Sequence, residues 1–218
     1  LGACATEAGR GAANRHSAEL TVRIATFNVA LNRPTAGALT DDLASSSAQA
    51  RAIAEIIQRV RPDILLLNEF DYDERHEALS LFIEHYLSVP QNGAKAIEFP
   101  FRFTAPVNTG EPTGVDLDGD QKTDGPGDAK GYGAFPGQYG MAILSRHRID
   151  LDQVRTFRKL LWRDLARPML PDDLTTPKVQ GDWYDKDALA VLPLSSKSHW
   201  DVPINVRGTP IHILASHP

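Results

Sequence analysis

Residues 64–70 read ILLLNEF, an unbroken aliphatic run that ends in two polar residues and an aromatic, with Pro62 and Asp63 before it and Asp71 after it. Side chains of a strand alternate between two faces, so a run that is apolar at successive positions is stable as a strand only if both faces are covered. The run therefore points away from a half-solvated sheet and toward a layered α/β architecture.

Its surroundings agree. Residues 20–28, LTVRIATFN, alternate with strongly β-forming types and read as the first strand. A polar loop through Asp41 and Asp42 follows. Residues 47–61 then set Ala50, Ile53, Ala54, Ile57 and Val60 at helical spacing, with Arg and Gln opposite, and Pro62 stops the helix. A second helix is expected over 74–87, and further strands at 140–145, 202–206 and 210–216. The fold class is α/β, with sheets inside and helices outside. Two segments rich in Gly, Pro and Asp, about 106–137 and 167–186, interrupt this pattern, and loops of such length are functional or mobile.

The chain has 218 residues, enough for one substantial core, and its longest apolar run, 64–67, is far too short to cross a bilayer as a helix. A net charge of -5 gives no global attraction for polyanions, which disfavours nonspecific nucleic-acid binding. A divalent cation in an acidic cleft reverses that argument locally, because the ion itself attracts phosphate. The one cysteine, Cys4, allows no internal disulfide. Leu1-Gly2-Ala3-Cys4 resembles the end of a bacterial lipoprotein signal, and residues 6–19 read as a polar tether. Residues 1–19 are thus expected to be a flexible leader of an exported protein, periplasmic, extracellular or membrane-anchored. A membrane would be reached only through a lipid on Cys4; a chance cysteine in a disordered leader is the alternative.

Catalytic groups of α/β proteins gather at strand ends, and two ends here finish in hard oxygen donors: Asn28 after RIATF and Glu69 after ILLLN. Mg²⁺ accepts such ligands readily and keeps several waters. Taken singly, the Asn is a turn former and the Glu a solvated carboxylate. Separately, Asp116, Asp118, Asp120 and Asp124 place carboxylates at alternate positions, as a calcium loop does. Gln121 stands where an EF-hand wants Gly and the closing Glu is missing, so a structural Ca²⁺ site and a solvated acidic loop both remain open.

The ordered motifs TFNVAL with Asn28, PDILLLNEFD with Glu69, GQYGMAILSR with Tyr139, SKSHWDVPI, and HILASHP with His217 resemble the endonuclease/exonuclease/phosphatase superfamily, which includes DNase I-like nucleases. The resemblance covers residues 20–218. It implies a DNase I-like four-layer sandwich, two β-sheets inside and helices outside, and Mg²⁺ (or Mn²⁺) held at Asn28 and Glu69. It also implies in-line attack of water on a phosphate mono- or diester, with no covalent intermediate. His217 and Tyr139 are then the catalytic groups facing the phosphate. Lys197 and His199 are candidates for further phosphate contacts, Trp200 for packing and Asp201 for orienting a neighbour. The family's Asp-x-Asn motif and final Asp-His pair would follow Pro218. The resemblance therefore implies the N-terminal part of a monomeric enzyme, silent and poorly soluble as it stands. Charge and the Cys4 anchor favour small organic phosphates or lipid headgroups as substrates. The alternatives are a secreted nuclease, with Arg155, Arg158, Lys159, Arg163 and Arg167 forming a basic helix face, and a non-catalytic domain of the same fold.

Overall fold

The computed structural model describes residues 21–217; the Cys4 lipid motif, the 1–19 leader, Leu20 and Pro218 lie outside them. Strand β1 (Ile24–Leu31) is followed by α1 (Ala38–Ser45), α2 (Ala48–Val60) and β2 (Ile64–Phe70), and β1 and β2 pair in parallel from Ile24↔Ile64. The helix expected over 47–61 is α2. Its cap is Ser47, whose hydroxyl accepts the N–H of Ala50, and it ends where Arg61 turns left-handed before Pro62. The segment read as a polar loop instead contains α1. Leu39 and Leu43, four apart, bury one stripe while Asp41 and Asp42 face outward.

The second expected helix starts later and changes pitch. Asp73 accepts the N–H groups of Glu77 (2.9 Å) and Ala78 (3.1 Å), opening α3 (Glu77–Leu81), which widens into a π-helical turn over Phe82–Leu87. After β3 (Phe101–Phe103), strand β4 (Met141–Ser145) pairs antiparallel with both β2 and β3 and completes a four-stranded sheet, β1-β2-β4-β3. A second sheet is built on β7 (His199–Val206). One edge of it carries the short β5 (Arg148–Ile149) and β6 (Arg155–Thr156), and the other carries β8 (Thr209–Ser216). A short helix, α4 (Lys186–Val191), precedes β7.

The period-two rule explains why ILLL is apolar throughout. Leu65 and Leu67 join Ala142 and Leu144 of β4 in a core shared with α1, α2 and α3. Ile64 and Leu66 join Met141 and Ile143 in a second core against Trp200, Val202, Ile204 and Ala215. Helices, first sheet and second sheet thus form three layers. On the outer face of the second sheet Leu214 is 78% exposed, so the fourth layer is not built by the described residues. Trp200 packs as expected, edge-on to Phe103 at 4.9 Å.

The loop at 106–137 is closely bonded. Thr109 pairs with Gly131 and Pro112 with Ala129, and Glu111 takes ion pairs from Lys130 (2.7 Å) and from Arg158. The arginine and lysine row at 155–167 is not a helix face. It runs from β6 into a 3-10 turn at Trp162–Asp164, and Arg155 and Arg158 are engaged by Asp201 and Glu111.

Candidate active site

Asn28 and Glu69 lie at the carboxyl ends of the two parallel strands, and the backbone there departs from the ladder. Register runs evenly to Asn28↔Asn68 and resumes at Leu31↔Phe70, so Val29 and Ala30 oppose the single residue Glu69. This is a β-bulge, and both Ala30 (φ 48°) and Glu69 (φ 56°) are left-handed. Each such non-glycine residue costs on the order of 1–2 kcal/mol, a cost that persists where surrounding bonds over-determine it. Here they do. Asn28 Oδ1 accepts the Ala30 N–H (3.1 Å), Asn28 Nδ2 donates to Glu69 Oε1 (2.8 Å), and Asn32 Nδ2 donates to Glu69 Oε2 (3.1 Å).

The second sheet brings two more groups to this carboxylate. His217, just beyond β8, sets Nε2 3.9 Å from Glu69 Oε1. Lys197, just before β7, lies within charge range of both. Burial lowers the lysine's proton affinity, opposed by Glu69. Burial and then Lys197 lower that of His217, again opposed by Glu69. The histidine is therefore mainly neutral near pH 7. The Lys197 segment is fixed from behind: Asn108, 1% exposed, donates its backbone N–H to Lys197 O (2.9 Å) and its amide to Arg158 O and Ser195 O (both 2.8 Å). Packing is tight enough that a Cβ on Gly131 would come 2.1 Å from Ser196 O.

Tyr139, also left-handed (φ 56°), donates its backbone N–H to Asp71 Oδ1 (3.0 Å), which ties it to the segment leaving Glu69; its side chain is half-buried. His199 is placed differently from expectation. As Trp200 and Val202 face the inner core, alternation along β7 puts His199 with Asp201 on the opposite face. On that face Asp201 orients its neighbours, accepting from Arg155 and meeting His212 Nδ1 at 2.7 Å. Asn32 and Asp71 were not anticipated. The signal available was position alone: Asn32 follows the end of β1 and Asp71 the end of β2, each a polar residue directly past a strand.

In the acidic loop the carboxylates of Asp116, Asp118 and Asp120 lie within 4.8 Å of one another and could hold a metal ion, while Asp124 stands outside the group. Asp116 also accepts the N–H groups of Gly119 (2.7 Å) and Gln121 (2.9 Å). A separate cavity of about 470 Å³ adjoins the strand ends. Asp71, Asp73, Val107, Glu111, Phe135 and Arg158 line it, whereas Asn28, Glu69, Lys197 and His217 do not.

The sequence profile of the endonuclease/exonuclease/phosphatase family matches residues 25–206. The chain belongs to that family. Its fold is that of phosphoesterase and nuclease-type hydrolases. Among solved structures the chain is similar to an endonuclease/exonuclease/phosphatase family protein from Leptotrichia buccalis, at 13% identity and TM-score 0.42, covering 90% of this chain and 55% of that one. It is also similar to an endonuclease/exonuclease/phosphatase from Beutenbergia cavernae, at 14% identity and TM-score 0.35, covering 87% of this chain and 35% of that one. The chain thus spans about half the length of the first relative and about a third of the second. No curated protein matches it.

Proposed function

We propose that Asn28, Glu69 and Asn32 hold a divalent cation, Mg²⁺ or Mn²⁺, and that the protein hydrolyses phosphate mono- or diesters. The observation that carries this reading is the convergence of Asn28, Lys197 and His217, from three separate parts of the chain, on the Glu69 carboxylate. The donor set fits the ion through oxygen: the Glu69 carboxylate is a hard ligand, and the Asn28 and Asn32 amides, which here turn Nδ2 toward it, each carry an oxygen that would face the ion when it is bound. When bound, such a cation supplies charge neutralisation at the phosphoryl oxygens and a more acidic water.

The chain's own groups account for the rest. Lys197, held partly out of water, offsets negative charge on the phosphate more strongly than an exposed lysine does. His217, neutral at pH 7, holds a proton on one ring nitrogen and donates it in a hydrogen bond to a phosphoryl or leaving oxygen. Tyr139, anchored through its backbone, contributes its hydroxyl to the same phosphate. The ion pairs that occupy Arg155 and Arg158 weaken the nuclease alternative, because they remove two members of the proposed basic groove. The reading extends to an exported enzyme, monomeric and with a lipid on Cys4, acting on small organic phosphates or lipid headgroups. The acidic loop, in the same reading, takes Ca²⁺ in a structural role through Asp116, Asp118 and Asp120.

The test is a panel of a nucleotide ester, a lysophospholipid and plasmid DNA, assayed with the complete protein in Mg²⁺ or Mn²⁺. Hydrolysis should vanish in EDTA and fall at least about a hundredfold in Glu69→Ala. Turnover undiminished in Glu69→Ala refutes the cation-holding role, and no hydrolysis of any ester by the wild type refutes the enzyme.

A further inference from the structure

Three chain segments meet at Glu69, and none is fixed to it there by a regular ladder. β1 loses register after Asn28 and regains it at Leu31, and β2 turns left-handed at Glu69. Past Met141 the Tyr139 segment keeps two backbone bonds to the chain leaving Glu69, Phe70 N–H to Gly140 O (3.0 Å) and Tyr72 N–H to Gly137 O (2.9 Å), with Tyr139 between them. The side chain of Asp71, 6% exposed, spans the gap. Its Oδ2 accepts the backbone N–H of Arg33 (2.7 Å), its Oδ1 accepts that of Tyr139 (3.0 Å), and its own N–H donates to Leu31 O (3.0 Å). The outer two segments are also joined directly, since Gln138 Nε2 donates to Arg33 O (2.7 Å), and the Arg33 guanidinium closes on Asn32 O (2.8 Å).

We propose that Asp71 is a positioning residue of the Glu69 site. By accepting the N–H groups of Arg33 and Tyr139 it fixes Asn32 on Glu69 Oε2 and holds Tyr139 at the same strand end. The proposal rests on the reading of Glu69 as a cation holder. A carboxylate is the one side chain of this length that accepts at both ends. Asparagine has the same volume but a single acceptor, and its amide NH₂ would oppose one of the two backbone donors. Partners that orient a metal ligand without touching the metal typically contribute about ten- to a hundredfold in affinity or activity.

Asp71→Asn in the complete protein tests this, and side-chain and backbone amide NMR signals read it without reference to activity. The Asn32 side-chain amide and the Tyr139 or Arg33 backbone amide should shift and exchange faster, while amides of α2 stay as they are. Mn²⁺ titration should show affinity about tenfold weaker, and kcat should fall about ten- to a hundredfold with a smaller change in KM. A folded Asp71→Asn with unchanged Asn32, Arg33 and Tyr139 signals overturns the proposal. If the variant does not fold, the wild type decides: slow hydrogen exchange at the Arg33 and Tyr139 amides supports the clamp, and exchange as fast as in open loops overturns it. A wild type that binds no Mn²⁺ and hydrolyses nothing refutes the hydrolase reading instead, and the amide signals still decide the role of Asp71.

Discussion

Asn108→Ala isolates the joint that carries Lys197. The wild-type amide satisfies two carbonyls, Arg158 O and Ser195 O, each at 2.8 Å, from a position 1% exposed. Alanine removes both donors and leaves the acceptors facing a small void. Each bond contributes about 0.5–1.5 kcal/mol net, and each buried acceptor left unpaired costs about 1–3 kcal/mol. A water entering the void would recover part of that, so the expected loss is about 2–4 kcal/mol. For a domain of this size, each kcal/mol shifts Tm by about 2–4 °C, giving a drop of about 4–16 °C. Urea unfolding followed by tryptophan fluorescence is the assay, since Trp200 is buried at 1% and reports loss of the second core. Asn108→Asp should be at least as damaging, because it sets a carboxylate against two carbonyls. A loss under about 0.5 kcal/mol in Asn108→Ala, the range of ordinary surface changes, would show that the joint is not held by this amide.

Other expectations follow from single residues. Ala30→Gly, at φ 48°, should stabilise by about 1 kcal/mol, partly offset by glycine's larger unfolded-state entropy; a destabilised variant in the same unfolding assay refutes the strain argument. Burial raises the Asp71 carboxyl to about 6, the N–H groups of Arg33 and Tyr139 and the Arg33 charge pulling the other way. A carboxyl raised in the folded state gives stability that is fully present below its unfolded value of about 3.9 and lost as pH rises through about 6, here about 2–3 kcal/mol after screening. Without added metal, the stability of wild type relative to Asp71→Asn should fall across that window, and a pH-independent difference refutes the shift. Calorimetric titration with Ca²⁺ should give a binding isotherm that Asp118→Asn weakens and Asp124→Asn leaves unchanged; no heat in the wild type leaves the three carboxylates as a solvated loop.

What could be read from the sequence was whatever depended on neighbours in the chain. β2 was legible because burial on both faces leaves no polar position in ILLL, and α2 because its apolar residues keep one period between a Ser cap and a Pro stop. α1 was not, since it begins at left-handed Gly37 without a side-chain cap and buries only Leu39 and Leu43 among acidic residues. Arg155, Lys159, Arg163 and Arg167 recur at helical spacing, and so do Phe157, Leu160, Leu161 and Leu165, yet contacts distant in sequence hold the segment otherwise: Arg155 and Thr156 pair with β7, Leu161 pairs with Pro193, and Arg158 meets Glu111. The same limit applies at the site. Asn28 and Glu69 were visible as oxygen donors at strand ends, and Lys197 and His217 only through the family resemblance, whereas Asn32 and Asp71 make their contacts only once β1, β2 and the Tyr139 segment are assembled.

The excursion between β6 and β7 is closed before the chain reaches Lys197: Leu194 N–H bonds Leu160 O (2.8 Å), Leu161 pairs with Pro193, and Trp162 N–H bonds Leu192 O (3.1 Å). Past those three rungs the chain folds on itself, with Asp172 and Asp182 accepting the N–H groups of Gly181 (2.6 Å) and Asp173 (2.9 Å). A neck of fixed width makes what hangs beyond it a detachable module. Closure entropy rises only as the logarithm of length, by about 0.6 kcal/mol per doubling. Residues 165–186 can therefore be lengthened, trimmed or exchanged for a foreign segment while Lys197 still reaches Glu69. The stretch beyond the neck is where a protein engineer has freedom to change the surface without rebuilding the joint that carries Lys197.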